Sequence, residues 1–207
     1  MNFKALIAQY GWQSIPRAGK KILRYLGVNL ESFYLLEYKI DKLEVEAKMK
    51  KYDYSDVQKF FYIDIKDSNL FDKNKKQLFK QRFESKDYSC FGIKSENEIC
   101  YFTWISWKFM NYPSIFNIQE TLQENEALLE DSFCDSKYRG RGYHSKMNLF
   151  RLNVILGKDI KTAIVLILKE NTPALKVQVK SGFKIKEVIK YYNILNKSRI
   201  KRIKYNA

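Results

Sequence analysis

Tyr138-Arg139-Gly140-Arg141-Gly142-Tyr143-His144 places two glycines and two arginines where an apolar run gives way to a helical one, and that combination suits the binding of an anion. A loop opening into a helix N-terminus offers backbone N–H groups without intrahelical acceptors, together with the positive end of the helix dipole. Glycine lets the main chain close on the ligand. The flanking charges agree. Met110 to Ser136 contains six acids (Glu120, Glu124, Glu126, Glu130, Asp131, Asp135) and no Lys or Arg, whereas Lys137 to Arg151 contains five basic residues and no acid. The charge changes sign where the strand meets the loop.

The elements that must position this loop follow from periodicity. Phe33–Ile40 reads as a first strand, followed by helical segments at Tyr54–Tyr62 and Asn74–Glu84. Tyr88–Lys94 and Ile99–Ser106 flank the polar Ser95-Glu96-Asn97-Glu98 and predict an antiparallel pair. Ala127–Asp135 is the strand that feeds the loop, and Tyr143–Leu156 is the helix that leaves it. Thr162–Leu168 is a continuous β-branched and leucine run of the kind buried on both faces. Asn171–Ser181 is a short helix closed by Gly182, and Phe183–Ile189 and Tyr191–Leu195 are the last two strands.

With 207 residues, 45% of them hydrophobic, the chain can bury one good core. A formal charge of +15 favours anionic partners without choosing among nucleotides, phosphorylated ligands, nucleic acid and a membrane surface. Three cysteines (Cys90, Cys100, Cys134) with no CxxC pair fit reduced thiols in a cytoplasmic setting, and no resident metal is expected. No run approaches the ~18 apolar residues of a membrane span. Arg17–Leu26 reads as a basic amphipathic helix, either packed on the domain edge or lying on a membrane surface. The expected organisation is a helical N-terminal extension at 1–32, a catalytic domain at 33–195 and a basic C-terminal tail at 196–207.

The element order, with an Arg-Gly-rich loop after the fourth strand, resembles the GNAT family of acyl-CoA-dependent N-acyltransferases. Arg139, Gly140, Arg141 and Gly142 fit the family's loop, with His144 in a position usually held by a small residue. Asn171, Ala174 and Gly182-Phe183 are similar to the family's Asn-x-x-Ala helix and its Gly-Phe closure. The resemblance implies an α/β (α+β) fold with a mixed, mostly antiparallel sheet of about seven strands flanked by helices. It further implies acetyl-CoA or another acyl-CoA as cosubstrate, its pyrophosphate on the amides of Arg139, Gly140, Arg141, Gly142, Tyr143, His144 and Ser145. Its pantetheine arm would run beside the main chain of Phe133, Cys134 and Asp135, with Asn171 contacting the arm. Gln178 stands where many members carry a tyrosine acid, so that role is not carried over.

Direct acyl transfer needs a group that takes the amine's proton, and the acids beside the expected thioester, Glu130 and Asp131, are the candidates. By the two-residue period of a strand they point to opposite faces, so one of them looks into the cleft. Glu130 is favoured, against the reading of a solvated acid on an edge strand. His144, at the start of the helix, suits a phosphate-facing or structural role better than catalysis, and Cys134 suits packing. The acceptor is a small-molecule primary amine. An amino sugar on a phosphorylated, nucleotide or lipid carrier is the family-level suggestion, and it fits an electropositive protein. Homo-oligomerisation and peripheral contact with the inner face of a membrane stay open. A nucleic-acid or ribosome-associated module is the rival reading, disfavoured because the basic residues are spread over two termini and one loop.

Overall fold

In the computed structural model the described residues are Gly19, 28–96, 98–112, 118–194 and 197–205. Apart from Gly19, the expected helix at Arg17–Leu26 lies outside them. The elements in chain order are β1 (Val28–Lys39), α1 (Lys42–Met49), β2 (Val57–Phe60), α2 (Tyr62–Ile65), α3 (Lys73–Glu84), β3 (Tyr88–Ser95), β4 (Glu98–Ser106), β5 (Phe109–Asn111), β6 (Gln119–Thr121) and β7 (Glu126–Cys134). A 3-10 turn at Ser136–Tyr138 follows, then α4 (Tyr143–Leu156), β8 (Thr162–Leu168), α5 (Thr172–Lys180), β9 (Lys184–Ile194) and β10 (Lys197–Lys204). No helix among the described residues is long and apolar enough to cross a membrane.

The chain divides into two compact units. One takes in the chain through Leu35 together with Ile167–Lys176 and the part from Ile185 onward; the other takes Leu36–Leu166 and Val177–Lys184. In the larger unit the strand order is β8-β7-β4-β3-β2. β2 with β3, β3 with β4 and β4 with β7 are antiparallel, and β7 with β8 is parallel. The result is a mixed, mostly antiparallel sheet flanked by helices. In the smaller unit β9 and β10 form an antiparallel hairpin.

The core of the larger unit follows from the aromatic run of β4. Phe102 and Trp104 alternate onto one face and meet Phe60, Ile65, Phe71 and Phe79, all buried. α3 supplies Phe79 and Phe83 at helical spacing, and it starts at Asp72, whose carboxylate accepts from the Lys75 amide. Gly92 in β3 has no substitute of any size: a Cβ there would lie 2.4 Å from Phe60 Cζ and 2.7 Å from the Tyr101 main-chain oxygen. That close approach locks β2, β3 and β4 together.

Two expectations are corrected. The helix expected over Tyr54–Tyr62 is a strand, Val57–Phe60, followed by a single helical turn. Pairing with Ile93 to Cys90 of β3 decides it, a long-range contact that overrides local preference. α1, capped by Asp41 accepting from the Glu44 amide, occupies a charged stretch for which the sequence reading assigned no element. The last two strands are also redrawn. β9 runs unbroken through Lys190, and the second strand is Lys197–Lys204, the segment read as a tail. Lys190 does not break the strand because the alternation puts Ile189 and Tyr191 in the core and Lys190 on the other face.

Candidate active site

β7 positions the loop and most of the candidate residues, and it does so by leaving its neighbours. Its parallel pairing with β8 covers Glu126–Leu128 against Thr162–Ile164 and goes no further. From Leu129 to Cys134 the β8-side edge of β7 has no strand partner among the described residues of the larger unit. On the β4 side, Phe102 pairs with Phe133 and Trp104 with Glu130, so Thr103 faces two residues, Asp131 and Ser132. This is a β-bulge, and Asp131 carries the positive φ of 45° that the bend requires. The divergence of β7 leaves a row of main-chain N–H and C=O groups to which an extended ligand could add as a strand.

The bulge overturns the expectation that Glu130 and Asp131 face opposite ways. Both reach Arg82 of α3, whose Nη1 donates to Asp131 Oδ2 at 2.6 Å and whose Nη2 lies 3.3 Å from Glu130 Oε2. The Arg82 side chain is 6% exposed and that of Glu130 11%. Burial alone would lower the Arg82 pKa, but the two carboxylates raise it and keep the guanidinium charged. Burial pushes Glu130 up to about 7, partly offset by Arg82 and by Asn111, whose Nδ2 donates to Oε1 at 2.9 Å and to Oε2 at 3.2 Å. Asn111 belongs to β5 and is itself oriented by Gln119 of β6, which donates to Asn111 Oδ1 at 2.8 Å. Arg82 lies over the rings of Tyr88 and Trp104. Glu130 is therefore poised near neutrality among groups that fix its rotamer.

Beyond β7, Asp135 starts the 3-10 turn by accepting from the Lys137 amide at 2.9 Å, while its own amide donates to Cys100 O. Arg139 Nε donates to Cys134 O at 3.3 Å, and the Arg141 guanidinium lies 5.1 Å from the Tyr138 ring. Gly140 and Gly142 have φ of 79° and 77°, and a Cβ on either would meet nothing within 4 Å. Gly142 is the N-cap of α4 and supplies no side-chain cap. The first-turn amides at Tyr143, His144 and Ser145 thus have no side-chain cap, and the exposed Arg139 and Arg141 lie in the loop that leads to them. This is the geometry an anion needs. Phe133 turns its ring into the Phe71–Phe102 cluster and offers only main chain. The Cys134 thiol is half-buried and raised by burial, with Arg139 opposing.

The side chain of His144 turns into the protein. Arg151, 1% exposed, donates through Nη2 to Asn148 Oδ1 and through Nη1 to the Trp104 main-chain oxygen. With its oxygen taken, Asn148 presents Nδ2 to Gln178 Oε1 at 3.1 Å and to His144 Nε2 at 3.2 Å. Gln178 Nε2 also lies 3.3 Å from His144 Nε2. N–H groups on that side make Nε2 the lone-pair nitrogen and put the proton on Nδ1, 2.8 Å from the Tyr101 hydroxyl. Burial lowers the His144 pKa to about 4, with the Arg151 charge adding to it. His144 and Gln178, the two places where the sequence leaves the family pattern, touch each other. Gln178→Leu strips one donor and one acceptor from this buried cluster and is expected to cost about 1–3 kcal/mol, a fall of several degrees in melting temperature by calorimetry. A variant melting with the wild type would show the cluster to be idle.

Asn171 sits in the smaller unit and caps α5, its Oδ1 accepting from the Ala174 amide at 3.3 Å. Arg82, Asn111 and Tyr101 are not visible from the loop and its strand alone. The missed signal was Arg82 itself, a cation on the apolar face of α3, three and one residues from Phe79 and Phe83.

No protein-family model and no curated protein matches the sequence. Solved structures do match the fold. A protein of unknown function from Staphylococcus epidermidis superposes with a TM-score of 0.53 at 12% identity, over 84% of this chain and 64% of its own. A tandem GNAT protein from the clavulanic acid biosynthesis pathway gives 0.52 at 10% identity, over 94% and 60%. A GNAT-family acetyltransferase from Colwellia psychrerythraea gives 0.52 at 13% identity, over 86% and 61%. The chain spans about three fifths of the length of these neighbours. At such identities the likeness is one of fold, and the fold is shared with GNAT acetyltransferases.

Proposed function

We propose that the protein is an acyl-CoA-dependent N-acyltransferase, most simply an N-acetyltransferase, acting on a primary amine by direct transfer. The observation that carries this reading is the uncapped, glycine-opened N-terminus of α4 at the end of a strand whose edge has lost its neighbour. The residues fit the coenzyme. The amides from Arg139 to Ser145 and the Arg139 and Arg141 guanidiniums would take its pyrophosphate, and the main chain of Phe133, Cys134 and Asp135 would take the pantetheine arm. Asn171 is spent as a helix cap.

Glu130 is the base in this proposal. The amine nitrogen bonds to the thioester carbonyl carbon, its proton passes to the Glu130 carboxylate, and the carbon–sulfur bond breaks to release the thiolate, which takes a proton from water. A carboxylate titrating near 7 is half ionised at neutral pH and strong enough as a base to assist. Asp131 holds Arg82 in place and so keeps Glu130 from being the only acid on that guanidinium. An amino sugar on a nucleotide or lipid carrier is the first acceptor class to try, because phosphates on the carrier would welcome a basic rim.

The test has two readouts. Acetyl-CoA at about a hundred times its dissociation constant is expected to stabilise the fold by about 2.7 kcal/mol, raising the melting temperature by roughly 5–10 °C. Free thiol should appear only when amine is added. No melting shift at millimolar acetyl-CoA would refute coenzyme binding, and a shift without turnover across amino sugars, polyamines and peptide amines would refute the transferase.

A further inference from the structure

The β9–β10 hairpin carries a charge pattern that acyl transfer does not use. Its register pairs Arg202 with Ile189, Ile200 with Tyr191 and Ser198 with Asn193. Ile189 and Tyr191 are fully buried, so this set faces inward on β9, while on β10 Ser198 and Arg202 stay exposed and Arg202 Nη1 donates to Glu187 Oε2 at 2.8 Å. Residues directly across an antiparallel pair share a face, and neighbours along a strand alternate. The other face therefore holds Val188 with Ile203, Lys190 with Lys201, Tyr192 with Arg199 and Ile194 with Lys197. It bears four cations and no acid, and Lys197, Arg199 and Lys201 are exposed. At its two ends stand Ile203, 36% exposed, and Ile194, 50% exposed and opposite Lys197.

We propose that this outer face docks on an anionic phospholipid bilayer. Charge complementarity requires a polyanion, and the isoleucines choose which one. Aliphatic side chains gain by entering the headgroup boundary of a bilayer, where flanking lysines and arginines meet lipid phosphates. Sheets that read single-stranded RNA instead stack bases on several aromatics. Here the face offers Tyr192, which is half-buried, and Tyr205, which continues the register opposite Lys186 and whose ring is engaged edge-on by Tyr34. Lysines on an edge strand also discourage pairing with a second sheet, but that purpose does not call for exposed isoleucines at both ends of the same face. The face is two strands wide and about 27 Å long at the usual rise of a strand, an extent suited to a surface rather than a pocket.

The test is sedimentation of the full chain with vesicles of phosphatidylcholine, alone or with about a third phosphatidylglycerol. Binding to the anionic vesicles, absent with phosphatidylcholine alone and weakened by added salt, is the expected result. Each cation contributes about fivefold to partitioning, so Lys197→Glu/Arg199→Glu/Lys201→Glu should weaken it by at least about 100-fold. Ile194→Ser/Ile203→Ser should weaken it by about tenfold while leaving every charge in place. All five positions are solvent-exposed, and unchanged thermal unfolding of both variants will mark the loss as one of the face. No sedimentation with anionic vesicles overturns the proposal, as does binding retained by the triple variant, an isoleucine pair without effect, or tighter binding to single-stranded RNA than to vesicles. None of these outcomes touches the acetyl-CoA melting shift, so the docking face and the transferase stand or fall separately.

Discussion

Glu130→Gln is expected to lower the rate of amine-dependent thiol release by about 10²–10³-fold while leaving the acetyl-CoA melting shift intact. Glutamine keeps the shape and can still bond Asn111 and Arg82, but it cannot take a proton. Arg82 retains Asp131 at 2.6 Å, so the guanidinium is not left without a counter-ion. The pH profile is the sharper discriminator. With a pKa of about 7, the wild-type kcat/KM should rise with pH through neutrality and level off above it, and the variant's residual rate should lack that limb. The stability effect runs the opposite way. The folded-state pKa lies above the ordinary carboxylate value of 4.5, so the favourable contribution of protonated Glu130 is complete below that value and is lost as pH rises through about 7. Glutamine carries no such dependence. The melting temperature of Glu130→Gln relative to wild type should therefore improve between pH 5 and pH 8. A variant with near-wild-type turnover would assign Glu130 to the Arg82 cluster alone.

The fold was legible where one strong local pattern met its natural partner. Tyr143–Leu156 and Thr162–Leu168 appear at the bounds that periodicity gives them, because an unbroken apolar run and a glycine-led helix leave little choice. Val57–Phe60 was not legible, since four residues become a strand only by lying against β3. The loop was legible for the same local reason, as glycines at Gly140 and Gly142 adopt the left-handed φ that their type permits. The acid pair was half legible. Both residues could be named, but strict alternation assigned them to opposite faces, and only pairing across β4 reveals the extra residue that turns Asp131 toward Arg82. A bulge leaves no trace in a strand's own sequence when the inserted residue is an aspartate. His144 and Gln178 show the same limit from the other side. Each reads as an irregularity alone, 34 residues apart, and only the fold reveals that both contribute to one buried hydrogen-bonded cluster with Asn148 and Arg151.

Gly142→Asp should abolish the acetyl-CoA melting shift while barely moving the melting temperature of the free protein, and the reason lies in what aspartate does at a helix start. At φ of 77° a side chain costs roughly 1–2 kcal/mol, with aspartate among the residues that tolerate the region best. The added Cβ meets nothing within 4 Å, so no clash accompanies the strain. Against that cost, the carboxylate can accept from the first-turn amides of α4 and lie against the positive end of its dipole, a gain of about 1 kcal/mol at a helix that has no side-chain cap. The two effects nearly offset in the free protein. In the presence of acetyl-CoA they do not, because the carboxylate occupies the amides a phosphate would need and repels what remains, removing the stabilisation of about 2.7 kcal/mol expected at a hundredfold excess over the dissociation constant. Gly142→Ala is the control, with the same backbone strain and no charge. It should melt lower than wild type by several degrees yet retain most of the acetyl-CoA shift. If the two variants lose the shift equally, backbone conformation and not the anion site governs binding. If Gly142→Asp keeps it, the pyrophosphate does not sit on the α4 amides at all.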